Sequence, residues 1–182
     1  MIYESSLSAL ETKYCSLGAD FGLSEGAEIA GYASLFNAED KGGDVVQKGA
    51  YAASLARLSK TVGKVKMLWQ HDPMQPIGVW DEIREDDKGL YVKGRLLPEV
   101  QAGREAIALL TAGAIDGLSI GYRTVRAEKT SKGRLLHEIE LWEVSMVTFP
   151  MLPEARVAPS DDVAALAQSL AETFRQARDL LA

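Results

Sequence analysis

Residues 117–149 read as two long strands, "GLSIGYRTVRAE" and "RLLHEIELWEVSMVTF", folded back on each other at the turn "KTSKG". A hairpin of that length commits the chain to a sheet with a large antiparallel component. Further strands precede it. "EIAGYASLFN" (28–37) alternates in polarity and runs into the polar, Gly-rich loop "AEDKGGDVVQKGA". "KVKMLWQ" (64–70), "PIGVWDEIRE" (76–85) and "GLYVKGRLL" (89–97) follow, the last two meeting at the hairpin turn "DDKG". Helical patterns are inserted between them. "YAASLARLSK" (51–60) sets Leu55 and Leu58 three apart on one face. "PEVQAGREAIALLTAG" (98–113) places Pro98 near its start, Glu99 in its first turn and Gly113 near its end. The tail carries Val163, Leu166, Leu170, Phe174, Ala177 and Leu181 as one apolar stripe behind a Ser160 cap. This order is not a repeating βαβ series, which argues against a doubly wound parallel sheet. The expected fold is a β-rich α+β domain, with a mostly antiparallel sheet that closes on itself and peripheral helices.

Composition narrows the function classes. A net charge of −6 argues against a nucleic-acid module, which would need clustered Lys and Arg to neutralise phosphates. No apolar run approaches the ~20 residues that span a bilayer. The start "MIYESSLSALETKY" lacks the basic and apolar regions of a secretory signal. Cys15 is the only cysteine, so an intrachain disulfide is impossible, and with two histidines a structural zinc site is not expected. Cys15 is read as a small packed hydrophobe rather than a nucleophile.

Gly117-Leu118-Ser119-Ile120-Gly121 spells G-x-S-x-G, the nucleophile-elbow pattern of α/β-hydrolases. That elbow runs strand, Ser, helix, whereas here a helix pattern ends near Ala112 and a strand begins near Leu118. That fold also places an acid and then a His after the Ser, and Glu128 is the one acid between Ser119 and His137. The α/β-hydrolase reading therefore fails, but Ser119 remains open as a nucleophile because a serine–base pair is defined by geometry rather than chain order. The base would be His71, at a strand end before "DP", or His137, within an alternating strand. The bland alternatives are a His in a turn and a Ser that fits a tight bend between glycines.

Four stretches in this order and spacing resemble the phage prohead protease family, serine peptidases that mature the capsids of tailed phages. They are "GYASLFNAEDKGGDVVQKGAYAASL", "KMLWQHDPMQPIGVWDEIREDDKGLYVKGRLL", "GAIDGLSIGYRT" and "LWEVSMVTFPMLPEARV", spanning about Gly31 to Val157. The family is similar in fold to the herpesvirus assembly proteases (assemblins), a compact β-barrel surrounded by helices. The resemblance implies Ser119 as nucleophile and His71 as general base. In the herpesvirus relatives the third member is a second His on a later strand. The matching stretch here, "ELWEVSMV", offers Glu143, with Glu140 as runner-up and Asp72 and Asp116 behind them. Alternation puts Glu143 on a face with Leu141 and Ser145, and Glu140 on a face with Trp142 and Val144, so periodicity does not choose. Asp44 matches a recurring family acid, for which loop capping is the simpler account. Relatives often carry an Asn after the Pro that follows this strand, where this chain has "FPMLPEAR". That departure leaves the oxyanion donors open among N–H groups near Ile120–Gly121, those of the 150–156 loop, and Arg156.

The implied organisation is an N-terminal extension over 1–27, expected to be partly mobile, a protease domain over 28–158 and a C-terminal amphipathic helix over 159–182. The implied function is a serine endopeptidase that needs no metal or organic cofactor. It would act in the host-cell cytoplasm within the assembling prohead, on scaffolding protein, on the scaffold-like N-terminal segment of the major capsid protein, and on itself. A homodimer through helical elements is expected, with neither nucleic acid nor membrane as partner. The rival expectation is a non-catalytic capsid assembly or scaffolding protein that keeps the protease fold.

Overall fold

The computed structural model describes residues 27–58, 65–152 and 154–157, together with the backbone of 11–12. The C-terminal helix expected over 159–182, Cys15 and most of the expected N-terminal extension lie outside these residues. The described strands are β1 (Glu11–Thr12), β2 (Glu28–Leu35), β3 (Val45–Val46), β4 (Lys66–Trp69), β5 (Asp72–Glu85), β6 (Gly89–Leu96), β7 (Gly117–Lys129) and β8 (Arg134–Val147). The helices are α1 (Ala52–Leu58) and α2 (Gln101–Thr111).

The two hairpins form where the turn chemistry places them. Asp86 Oδ1 accepts the N–H groups of Lys88 and Gly89 at 2.8 and 3.1 Å and closes β5 onto β6. Thr130 Oγ1 accepts the N–H of Gly133 at 3.0 Å and turns β7 into β8. Along β6, Leu90, Val92 and Leu96 are buried while Tyr91, Lys93 and Arg95 alternate outward, the period of a half-buried strand. Each large apolar side chain taken fully out of water contributes about 1.5–3 kcal/mol. One core joins these residues to Met67, Ile77, Leu118 and Met146.

All strands belong to one curled sheet in the order β1-β7-β8-β4-β5-β6-β2, with β3 also on β8. The expectation of a mostly antiparallel, closed barrel holds in part: five of the seven pairings among the described strands are antiparallel, but two are parallel and the sheet is a mixed half-barrel. β3 and β4 both run parallel to β8, Val45 facing Leu135 and Lys66 facing Glu143. Helix α1 lies in the connection that carries the chain from β3 to β4 along the same edge of β8. Between these two pairings, β8 is held by Ile139 N–H on the Ala50 carbonyl (3.0 Å) and Leu141 N–H on Ser54 Oγ (2.9 Å). The seam between β2 and β7 is bridged by Arg156, facing Gly117, and Val157, facing Gly31. Gly31 is what lets the tail cross there, since a Cβ would lie 1.9 Å from the Arg156 carbonyl oxygen.

Helix α2 starts later than its pattern predicts. Residues 98–100 form a turn instead, with Val100 N–H on the Leu97 carbonyl at 3.1 Å, so Glu99 lies outside the first helical turn. Its end is as expected, with Gly113 just beyond it at φ +68°. Strand β5 begins four residues before its expected start, at Asp72. This early start matters because it puts the β4–β5 turn directly at His71.

Candidate active site

Three neighbouring strands position the site. In the β7–β8 ladder Ser119 lies opposite Ser145, and Gly121 lies opposite Glu143. Residues two apart on a strand share a face, so these four share one patch. On the other side of β8, β4 places Leu68 beside Ser145 and Trp69 beside Met146. The chain then leaves the ladder through Gln70 and His71, both left-handed at φ +52° and +64°. Such a conformation is uncommon outside glycine and costs of order 1–3 kcal/mol per residue. It persists because its surroundings hold it. Gln70 Nε2 donates to Thr148 Oγ1 at 2.7 Å, and Gln70 Oε1 accepts the Thr148 N–H at 3.3 Å. His71 N–H donates to Ser145 Oγ at 3.2 Å.

The turn carries the imidazole back over β8 and onto β7. His71 Nε2 lies 2.9 Å from Ser119 Oγ, and His71 Nδ1 lies 2.6 Å from Glu143 Oε1. A carboxylate can only accept, so Nδ1 carries the proton and Nε2 presents its lone pair to the Ser119 hydroxyl. Glu143 Oε2 accepts a second hydrogen bond, from Ser145 Oγ. The cluster is sheltered: Ser119 and Glu143 are 1% and 3% exposed, and the His71 side chain 7%. Once water is excluded, each of these hydrogen bonds is electrostatically stronger than it would be at the surface.

Gly121 has a steric task. A Cβ there would stand 2.0 Å from Glu143 Oε1, so the bare backbone of β7 is the floor on which the carboxylate lies. Opposite it the ladder shifts register between Gly121 and Tyr122, leaving Trp142 as the extra residue of β8, 50% exposed. That bulge resets the alternation: Glu143 keeps the face of Ser119 and Ser145 while Leu141 turns to the core beside Tyr122, contrary to the expected shared face. Position along the strand rather than face therefore distinguishes Glu143 from Glu140.

The other expected residues are placed elsewhere. Glu140 accepts from Arg123 NH2 at 2.5 Å and lies 3.3 Å from Arg57 NH2, a surface cluster away from the imidazole. His137 faces Glu128 at 3.6 Å on the distal part of the hairpin. Asp72 turns away from His71, accepting the Met74 N–H and Gln75 Nε2, both at 2.8 Å. The Met74 N–H above all, with Gln75, holds its carboxyl below the ordinary range. Asp116 pairs with Arg156, which is thereby committed to an ion pair. Loop capping falls to Asp40, whose Oδ1 accepts the N–H groups of Gly42 and Asp44 at 2.8 and 2.9 Å. Asp44 instead grips the Arg134 guanidinium, with NH2 at 2.6 Å. Sequence reasoning missed Ser145 and the Gln70–Thr148 clamp. For Ser145 a signal existed, its i+2 spacing from Glu143; for the clamp there was none, because its partners are 78 residues apart.

The chain is 36% identical over 137 residues to the prohead protease of Enterobacteria phage HK97, covering 73% of this chain and 60% of that protein. It thus spans less than two thirds of that relative's length. A second relative, the capsid polyprotein of Pseudomonas phage PAJU2, is 32% identical over 101 residues, which are 51% of this chain and 15% of the polyprotein. Among solved structures, the bacteriophage T4 capsid assembly protease superposes with a TM-score of 0.60, covering 76% of this chain and 95% of that one. At 16% identity that likeness establishes the fold alone. The sequence model of caudovirus prohead serine proteases matches residues 17–169, a span that takes in every residue of the hydrogen-bonded cluster, and the chain belongs to that family.

Proposed function

We propose that this chain is a serine endopeptidase of capsid maturation in which Ser119 is the nucleophile, His71 the general base and Glu143 the residue that orients it. The observation that carries the reading is the continuous line Ser119 Oγ, His71 Nε2, His71 Nδ1, Glu143 Oε1, with spacings of 2.9 and 2.6 Å at its two ends. As Ser119 Oγ attacks the scissile carbonyl carbon, its proton passes to His71 Nε2. Glu143 stabilises the imidazolium that forms. His71 then gives the proton to the departing amine nitrogen, the C–N bond breaks, and an acyl-enzyme remains. Water attacks the ester carbonyl, losing a proton to His71, and the C–O bond to Ser119 breaks. The proton returns to Ser119 Oγ as the carboxylic acid product leaves.

The substrates in this proposal are scaffolding protein or the scaffold-like N-terminal segment of the major capsid protein, and the enzyme itself. The site of action is the assembling prohead in the host cytoplasm, and the working form is a homodimer. Capsid protein as partner is supported by the similarity to a stretch of a protein named capsid polyprotein.

Co-expression with the capsid protein of the same phage tests the reading on a gel. Ser119→Ala and His71→Ala are each expected to abolish processing, and His137→Ala to retain it. Loss with His137→Ala and retention with His71→Ala would transfer the base to His137. Processing that survives Ser119→Ala would leave the chain as a non-catalytic assembly protein on a protease fold.

A further inference from the structure

Ser145 is fully buried in a strand whose neighbours are Val144, Met146 and Val147, a setting in which a hydroxyl is costly unless it is satisfied. Its bonds go to the catalytic cluster. The Oγ–H donates to Glu143 Oε2, and Oγ accepts the backbone N–H of His71 at 3.2 Å. With the bond from His71 Nδ1 to Glu143 Oε1, this closes a ring: His71 backbone, Ser145 hydroxyl, Glu143 carboxylate, His71 side chain.

The geometry points to Ser145 as a positioning residue that locks the Glu143 carboxylate and the left-handed His71 backbone into one unit. The inference rests on the catalytic reading of Ser119 and His71 given above. A carboxylate bound through one oxygen can swing about its side-chain torsions; bound through both, it presents Oε1 to Nδ1 in one orientation. The same hydroxyl restrains the His71 backbone at φ +64°, which otherwise has a cheaper conformation to relax into. Ser145 is not a second nucleophile, because the imidazole lone pair is already directed at Ser119 Oγ. It touches neither substrate nor reacting atoms, and it acts through the acid and the base.

The test uses the full chain with Ser145→Ala, which removes the hydroxyl, and Ser145→Cys, which keeps the volume while weakening the donor. A fluorophosphonate probe reports acylation of Ser119, and its concentration dependence separates kinact from KI. Proton NMR follows the low-field Nδ1–H resonance of His71, assigned with His137→Asn because the chain has two histidines. Both variants are expected to lower kinact about 10- to 100-fold with KI unchanged, as a modest misplacement of catalytic groups does. The Nδ1–H resonance should broaden or vanish through exchange with solvent. Wild-type kinact together with an unchanged resonance overturns the inference. If the wild-type chain is not labelled at Ser119, the protease reading falls, and the response of the resonance still decides whether Ser145 holds the ring.

Discussion

Gly121→Ala tests the geometry of the site without touching a group that does chemistry. An added Cβ would lie 2.0 Å from Glu143 Oε1 and 2.7 and 2.8 Å from Cδ and Cγ of the same side chain. Bringing the 2.0 Å approach out to the 3.4 Å at which ordinary contact begins moves Oε1 by about 1.4 Å. That oxygen is the acceptor held 2.6 Å from His71 Nδ1, so the bond cannot survive the move. A misplacement of about 1 Å costs about a hundredfold in rate, and loss of the orienting acid of a triad costs about ten thousandfold. Gly121→Ala should therefore lower kcat/KM by a factor between those two limits. The fold should persist, because overpacking costs about 1–3 kcal/mol against a total stability of about 5–15 kcal/mol.

The assay is the rate of fluorophosphonate labelling at Ser119 beside a thermal melt, in wild type, Gly121→Ala, Glu143→Gln and the double variant. If Gly121 acts only by leaving room for Glu143, the two changes disable the same bond. The double variant should then be no slower than about twofold below the worse single variant, since effects within one network are not additive. A folded Gly121→Ala labelled at the wild-type rate would refute the argument. So would full multiplicative loss in the double variant.

Of the two acids, Glu143→Gln should slow acylation severely. Glu140→Gln should change stability by less than about 1 kcal/mol, the ordinary weight of a surface ion pair, and leave labelling unchanged. Equal losses would move the orienting role away from Glu143. Tyr51 is fully buried, and burial, with the Glu85 carboxylate adding, pushes its phenol well above the ordinary 10.0. The unfolded phenol ionises near pH 10 while the folded one stays protonated, so stability is full below that pH and falls as pH rises above it. Tyr51→Phe should show a shallower alkaline fall in Tm, and parallel curves would exclude Tyr51 as the cause. Gly31→Ala drives a Cβ to 1.9 Å from the Arg156 carbonyl at the β2–β7 seam, and Tm should fall by several degrees. An unchanged Tm would mean the Arg156–Val157 bridge does not hold the seam.

Much of this protein was legible along the chain because its signals are local. The hairpin turns at Asp86 and Thr130 depend on side chains that bond their own next few N–H groups, so "DDKG" and "KTSKG" announced them. The polarity period of β6 and the Gly113 stop of α2 are equally short-range. Ser119, His71 and Glu143 were reachable as candidates because few residue types can do the chemistry and the chain has only two histidines.

Strand direction was not local. β4 looks the same in sequence whichever way it runs. It lies parallel to β8 because the chain continues from β3 through α1 to β4 along one edge of β8, which is how parallel pairs entered a sheet expected to be mostly antiparallel. The choice between Glu143 and Glu140 was likewise outside the reach of alternation, because the bulge at Trp142 breaks the period between them. The tertiary structure alone put Gly121 under a carboxylate and Ser145 between acid and base, since each of those tasks is defined by a partner on another strand or turn. Sequence determined which groups were available to react. The register of β7 on β8, and of β4 on β8, decided which of them meet.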